Sequence, residues 1–401
     1  MQRNRKMKGE GCVTGANRPL STWAGRSSAH SRWGKLVLLL VGLFSGLRAM
    51  AVGSWTTLAN TPPNGGAVQM MLLLSDGTVM AQQAPLSSNS GSANWYRLTP
   101  DIHGSYINGT WSTVAPMNYT HEYYSSAVLR DGRVFVAGGE YGTGGSANVA
   151  EIYDPKLDTW TVLPVPAGTG FSDSCCVILP NGNLLIAPVN SDSSRGTLIY
   201  DPTSNTFSTG PSALGSQSEA CWVKLPDDSI LTIDSTTDPN LLNSSERFIP
   251  SLNNGQGGWS ADDSLKVPMY NSTREIGAGV LLPDGRAWFF GGNHYTAYYT
   301  PSGNTNQGVW AAGPEMPAPG AGWDEPAAVL VNGKVLYQTF IYPTADPGNP
   351  QARGYFELDP TPTPTNPLGT ITEVLPEWGD NSGYSHMMLN LPDGKLLVAY
   401  G

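Results

Sequence analysis

Five carboxylates recur along this 401-residue chain at similar distances before an Asp-Gly-like dipeptide: Glu122, Asp173, Glu219, Glu275 and Asp324. His121, Tyr123, Trp323, Tyr384 and His386 occupy the same stretches, seven to ten residues ahead of the dipeptide. Like charges brought that close raise one another's pKa or gather a cation. Three chemistries follow. The oxygens would hold a Ca²⁺ ion. A carboxylate with His121 or His386 would form a general acid–base pair. Or the carboxylates would bond sugar hydroxyls while Trp323 and Tyr123 stack on sugar faces. The reading without chemistry is a solvated rim, or buried carboxylates that satisfy backbone groups.

The elements that must position these residues repeat with a period near fifty. The dipeptide occurs seven times: Asp76-Gly77, Asp131-Gly132, Asn181-Gly182, Asp227-Asp228, Asp284-Gly285, Asn332-Gly333 and Asp393-Gly394, spaced by 46 to 61 residues. Each stands between two apolar runs, as a two-residue hairpin turn would. A third apolar run then ends at a proline: Pro100, Pro155, Pro202, Pro250, Pro301 and Pro360. Proline cannot donate to a ladder, so the strand stops there. A fourth run opens on Trp111, Trp160, Phe207, Trp259, Trp310 or Ile371. One such four-stranded meander is too small to stand alone, so it reads as one unit of a ring. The repeats predict an all-β fold, a seven-bladed β-propeller over residues 52–401. The seventh unit has only two strands, Tyr384–Asn390 and Lys395–Tyr400, and is expected to be incomplete. Ser54–Leu58 matches a fourth strand and is expected to close that blade. The stretches carrying the carboxylates lead into the inner strands, so they should converge on one mouth of the channel, as ligand-binding loops on rigid scaffolds do.

Residues 1–51 differ from the rest. They hold nine of the 22 basic residues and one of the 32 acidic ones, with an apolar run at Leu36–Leu47 followed by Ala49-Met50-Ala51. This pattern predicts a secretory signal peptide behind a long basic prefix, hence a secreted, periplasmic or cell-surface protein with no membrane span in the mature chain. The mature part then carries 13 basic and 31 acidic residues, a net charge near −18. That excludes nucleic acid and anionic membrane as partners and suits cations or neutral ligands. Cys175, Cys176 and Cys221 remain. Cys175 or Cys176 would pair with Cys221 across adjacent inner strands, or all three stay buried thiols. The reach of a disulfide favours the second.

Tyr123 to Trp160, with Asp131-Gly132-Arg133, Gly138-Gly139 and Tyr153-Asp154-Pro155, resembles a kelch motif, and Asp284 to Trp310 repeats it with Gly291-Gly292. In this style the chain resembles the central domain of galactose oxidase and related copper-radical oxidases. The resemblance implies a copper ion held by two tyrosines and two histidines, one tyrosine being cross-linked to a cysteine. Tyr123 matches the cross-linked tyrosine, but the cysteine position is Met70. Tyr384 falls near the second tyrosine, followed by Ser385, with His386 one place late. The residues therefore point to an exported propeller binding a ligand, a carbohydrate, at the acidic mouth. The alternatives are a copper-radical oxidase or other carbohydrate-active enzyme, and a scaffold for a cell-envelope protein.

Overall fold

The structure is a computed structural model. It describes residues 53–63, 67–85, 90–142, 148–171, 173–190, 194–217, 219–233, 243–270, 276–317, 320–322, 324–341, 353–374 and 385–400. The segment expected to be a signal peptide lies outside them. Among the described residues no helix is long and apolar enough to cross a membrane.

The described part of 57–401 is all-β, built of antiparallel meanders. Blade one is β1 (Val68–Leu73), β2 (Val79–Gln83), β3 (Trp95–Thr99) and β4 (Thr110–Val114). Blade two is β5 (Ser125–Val128), β6 (Val134–Ala137), β7 (Ala150–Asp154) and β8 (Thr159–Val162). Blade three is β9 (Cys175–Ile178), β10 (Leu184–Ala187), β11 (Leu198–Asp201) and β12 (Thr206–Thr209). Blade four is β13 (Trp222–Lys224), β14 (Ile230–Ile233), β15 (Ser245–Ile249) and β16 (Gly258–Ala261). Blade five is β17 (Gly279–Leu281), β18 (Ala287–Phe290), β19 (Thr296–Thr300) and β20 (Val309–Ala312). Blade six splits its inner strand into β21 (Gly320–Ala321) and β22 (Ala327–Val329), both paired to β23 (Val335–Ile341), followed by β24 (Arg353–Asp359) and β25 (Thr370–Val374). A hairpin, β26 (Ser385–Asn390) and β27 (Leu396–Tyr400), follows.

The structure thus shows six blades where the repeats predict seven. The last unit is a two-stranded hairpin, with β26 packed between β22 and β1. The predicted closing strand at Ser54–Leu58 is not a strand. The physical reason is pairing. A fourth strand needs a third beside it, and among the described residues β27 is hydrogen-bonded to no strand except β26.

The repeat signals each have a structural counterpart. All six prolines follow directly on the third strand of their blade. The bulky fourth-strand residue always faces the third-strand residue two before the proline, as in Trp160↔Tyr153, Phe207↔Tyr200 and Trp310↔Tyr299. These rings meet at a tilt: the centroids of Tyr153 and Trp160 lie 5.1 Å apart and those of Tyr299 and Trp310 also 5.1 Å. The turns differ from expectation by one residue. Leu129 N donates to Arg133 O at 2.7 Å and Gly132 N to Leu129 O at 2.9 Å, which encloses three residues with a left-handed glycine last. This is the three-residue hairpin loop, and Asp131 Oδ1 fixes it by accepting the Arg133 N–H at 3.0 Å. The core lies between blades. Phe135 of blade two packs 4.9 Å from Tyr200 of blade three, for example. A propeller stabilised this way holds its inner strands at fixed angles, which is what a site at the channel mouth requires.

Candidate functional site

Three non-glycine residues at the mouth have left-handed backbones: Tyr123 (φ 57), Glu219 (φ 51) and Asp324 (φ 65). All three stand eight residues before their turn, in blades two, four and six. They therefore occupy one repeat position, at the same end of the channel. A left-handed backbone costs an L-residue about 1–2 kcal/mol, and bulky side chains avoid it. In blades two and six the inner strand breaks there. In blade two Glu122 still bridges Tyr141, beyond the break, while Ser125 pairs with Ala137. In blade six the break separates β21 from β22. Such kinks re-aim a side chain out of the ladder.

The lead-in to blade two is the best defined. His121 is fully buried. Its Nδ1 donates to Gly138 O at 2.6 Å and its Nε2 faces Glu151 Oε1 at 3.3 Å. Both ring nitrogens are thus engaged by the protein, and the histidine holds backbone in place. Glu122 is also buried, and its Oε2 accepts the Gly91 N–H at 3.2 Å. Burial pushes its carboxyl above the usual range, against hydrogen bonds from Gly91 and the Tyr123 hydroxyl. Tyr123 is half-buried with its ring edge-on to Tyr141, 5.7 Å between centroids. Burial first, then the charges of Glu122 and Glu140, hold its phenol well above the ordinary value of 10. Proton, carboxyl and aromatic faces therefore meet in one place, with the Glu122 carboxyl easier to protonate than an exposed one.

The kelch glycines explain why this lead-in sits so close. A Cβ on Gly139 would come within 2.6 Å of Glu122 O. Gly138 supplies the carbonyl that His121 bonds. From blade one, Gln82 reaches across with Nε2 to His121 O at 2.9 Å, while its Oε1 accepts from Tyr124 Oη at 2.7 Å and Gln69 Nε2 at 3.0 Å.

The other predicted residues divide. Asp173 is buried at the blade-three lead-in, without the left-handed backbone. Glu219 is half-buried within a turn closed by Ala220 N to Gln217 O at 3.2 Å. Asp324 lies beside Glu325, which is fully buried and 3.4 Å from Arg353 Nε. Glu275, Trp323 and Tyr384 lie outside the described residues. His386 stands at an irregularity of β26, between the pairs Ser385↔Tyr400 and Met387↔Ala399, and its side chain lies outside the described residues. The structure thus brings Tyr123, Glu219 and Asp324 to one repeat position and takes His121 out of solvent.

Two carboxylates that matter were not singled out in the sequence, Glu151 and Glu246. Glu151 is an acid within the otherwise apolar stretch Ala150–Tyr153, and that misplaced acid was the available signal; Glu246 stands between Ser245 and Arg247 and carried none. Gln82 carried none.

Cys175, Cys176 and Cys221 are buried, and no disulfide joins them. Cys175 points to Ala220 O of the next blade, Cys176 back to Ser126 O, and Cys221 on toward Gly279. These diverging directions explain why no bridge forms.

The residues do not fit the copper site that the resemblance implies. Met70 is buried, and its thioether sulfur accepts the Ser126 hydroxyl at 3.6 Å. A sulfur already bearing two carbons offers no thiol for a cross-link to Tyr123. Among the described residues no three His, Cys, Asp or Glu side chains gather closely enough to hold a metal ion.

Comparison with known proteins agrees with this geometry. The Kelch motif model matches residues 123–164. The chain is a kelch-type β-propeller that resembles galactose oxidase. A galactose oxidase of Gibberella zeae is 40% identical over 55 residues, a match spanning 14% of this chain and only 8% of that enzyme. Among solved structures, a fungal alcohol oxidase of the AA5 family in complex with copper superposes with a TM-score of 0.60 at 14% identity. That superposition covers 86% of this chain and 72% of the oxidase. YjhT superposes with a TM-score of 0.53 at 15% identity, over 79% of this chain and all of YjhT. At such identities the two structures speak for the fold of the kelch propeller alone.

Proposed function

We propose that this kelch propeller is exported and binds a carbohydrate at the acidic mouth of its channel. The observation that carries the reading is the repeated left-handed backbone at Tyr123, Glu219 and Asp324. A strained conformation kept by side-chain-bearing residues at one repeat position favours a binding role for those side chains. Tyr123 and Tyr141 offer aromatic faces, and the carboxylates offer acceptors for hydroxyls. The galactose oxidase likeness makes D-galactose the first probe. Calorimetric titration of the full chain with D-galactose should give a saturable isotherm, weakened at least about tenfold by Asp324→Asn or Tyr141→Ala, the loss of one charge-assisted hydrogen bond or one stacking face. A flat isotherm with galactose and no hits on a glycan array would overturn the reading. Capture of a cell-envelope protein would then favour a scaffold.

The hairpin β26–β27 is read as the inner half of a seventh blade, since β26 lies between β22 and β1. Residues 1–51 are read as a signal peptide. N-terminal sequencing of the exported protein would test this, with cleavage after Ala51 expected.

A second reading, a copper-radical oxidase, is favoured by the galactose oxidase match and opposed by Met70. Stoichiometric copper with a tyrosyl-radical absorption band in the purified protein would install it in place of a binding-only role.

A further inference from the structure

Glu151 and Glu246 occupy the same register in blades two and four. Glu151 pairs with Val162 of β8, and Glu246 with Ala261 of β16, in each case two residues before the aromatic that faces the fourth-strand tryptophan. Both are fully buried. Each carboxylate collects the backbone of the segment leading into its blade. Glu151 accepts from Asn118 N at 2.9 Å, Asn118 Nδ2 at 2.6 Å and Tyr119 N at 3.0 Å. Glu246 accepts from Leu214 N at 2.8 Å and Gly215 N at 3.0 Å. Each also meets one side chain from ten residues before the turn. For Glu151 this is His121 Nε2 at 3.3 Å, and for Glu246 it is Gln217 Nε2 at 2.7 Å. Two residues after His121 stands Tyr123, and two after Gln217 stands Glu219, both left-handed.

The same device has thus been built twice with different side chains. Its repetition separates it from incidental packing, because His and Gln share little except a side-chain nitrogen that can reach the carboxylate. A buried carboxylate holding three or four donors is costly to disturb, so the segment it gathers has one conformation. We propose that Glu151 and Glu246 are positioning residues for the mouth. Acting through His121 and Gln217, they fix the lead-in segments and so hold Tyr123 and Glu219 in the conformation that aims them at the channel. Neither carboxylate touches a ligand. The relevance to binding rests on the carbohydrate reading above, while the bracing itself does not.

The test exchanges the two devices. Full-length wild type, Glu151→Gln, His121→Ala, His121→Gln and Gln217→His are compared by hydrogen–deuterium exchange with mass spectrometry, without ligand. His121→Ala and Glu151→Gln should speed exchange of residues 118–124 by about tenfold or more while blade five keeps its wild-type rate, as expected for a local opening that has lost a buried hydrogen bond. His121→Gln should restore the wild-type rate, because Gln does this work in blade four, and Gln217→His should leave residues 214–220 protected. Unchanged exchange at 118–124 in His121→Ala would overturn the proposal. So would acceleration spread evenly over all blades, or a His121→Gln variant as loose as His121→Ala. If Glu151→Gln does not fold, the His121 pair still decides. D-galactose titration of the same proteins separates the two ideas. Where wild type binds, His121→Ala should weaken binding and His121→Gln should not. Where wild type does not bind, the carbohydrate reading fails and the exchange data still judge the bracing.

Discussion

The two ends of the inner strands use the same left-handed backbone in opposite ways. At the turn end it falls to glycine in six of seven repeats: Gly77, Gly132, Gly182, Gly285, Gly333 and Gly394 have φ between 81° and 94°. The seventh, Asp228, has φ 65, and its carboxylate is held by Lys224 at 2.8 Å. Leading into the inner strands at the mouth end, that backbone falls to the side-chain-bearing residues Tyr123, Glu219 and Asp324. Where the conformation serves only to reverse the chain, glycine supplies it without steric strain. Where side chains are kept despite the strain, the side chain itself is what the position is for. On the carbohydrate reading proposed above, the difference between the ends separates architecture from function within a single repeat.

Substitutions can break or sharpen that contrast, and the largest effect belongs to the mouth end's own glycine. Gly139 has φ 121 and lies against the Glu122 backbone, so Gly139→Ala combines strain with a backbone clash. It should cost about 3 kcal/mol in urea unfolding and disorder the blade-two lead-in. A loss below about 1 kcal/mol would show that the lead-in is not held by that close approach. At the turn end Gly285→Ala has room, its Cβ meeting only Pro226 Cγ at 3.7 Å. It should lose about 1 kcal/mol from the backbone alone. The converse change, Glu219→Gly, should leave the protein unharmed or more stable by about 0.5 kcal/mol, while weakening ligand binding. A destabilised Glu219→Gly would mean the side chain serves the fold, and the contrast between the two ends would fall.

The smallest effect is in pH. Burial keeps the Glu122 carboxyl above its ordinary 4.5, so the folded state holds this proton more tightly than the unfolded state. The stability it contributes is complete below about 4.5 and is lost as pH rises through the folded value. Glu122→Gln should therefore match wild type near pH 4 and exceed it near pH 7, read as a widening gap in urea midpoints. A constant gap would show that Glu122 titrates as an exposed carboxyl.

The repeat was legible because its signals are local. A proline ends a strand through its missing N–H, and an Asp or Asn bonds its own turn two residues on, so both are readable wherever they occur. The blade count and closing strand were not, because whether Ser54–Leu58 becomes a strand depends on a neighbour distant in sequence. Of the candidate site, the shared repeat position of Tyr123, Glu219 and Asp324 was legible, since equivalent positions in a ring share one end of the channel. Position relative to the turn did not show that both ring nitrogens of His121 are engaged, because Glu151 lies thirty residues away.

The sequence by itself determined the antiparallel meanders, where their turns fall, the proline stops and the repeat position that Tyr123, Glu219 and Asp324 share. These follow from backbone donors, turn chemistry and a period of two. The tertiary structure alone decided which polar groups face solvent and which are spent on the scaffold. It also decided that Glu151 and Glu246 brace the lead-in segments, that Met70 stands buried with its sulfur engaged, and that among the described residues no third strand pairs with the last hairpin. Each of these turns on contacts between residues far apart in the chain, which no local pattern records.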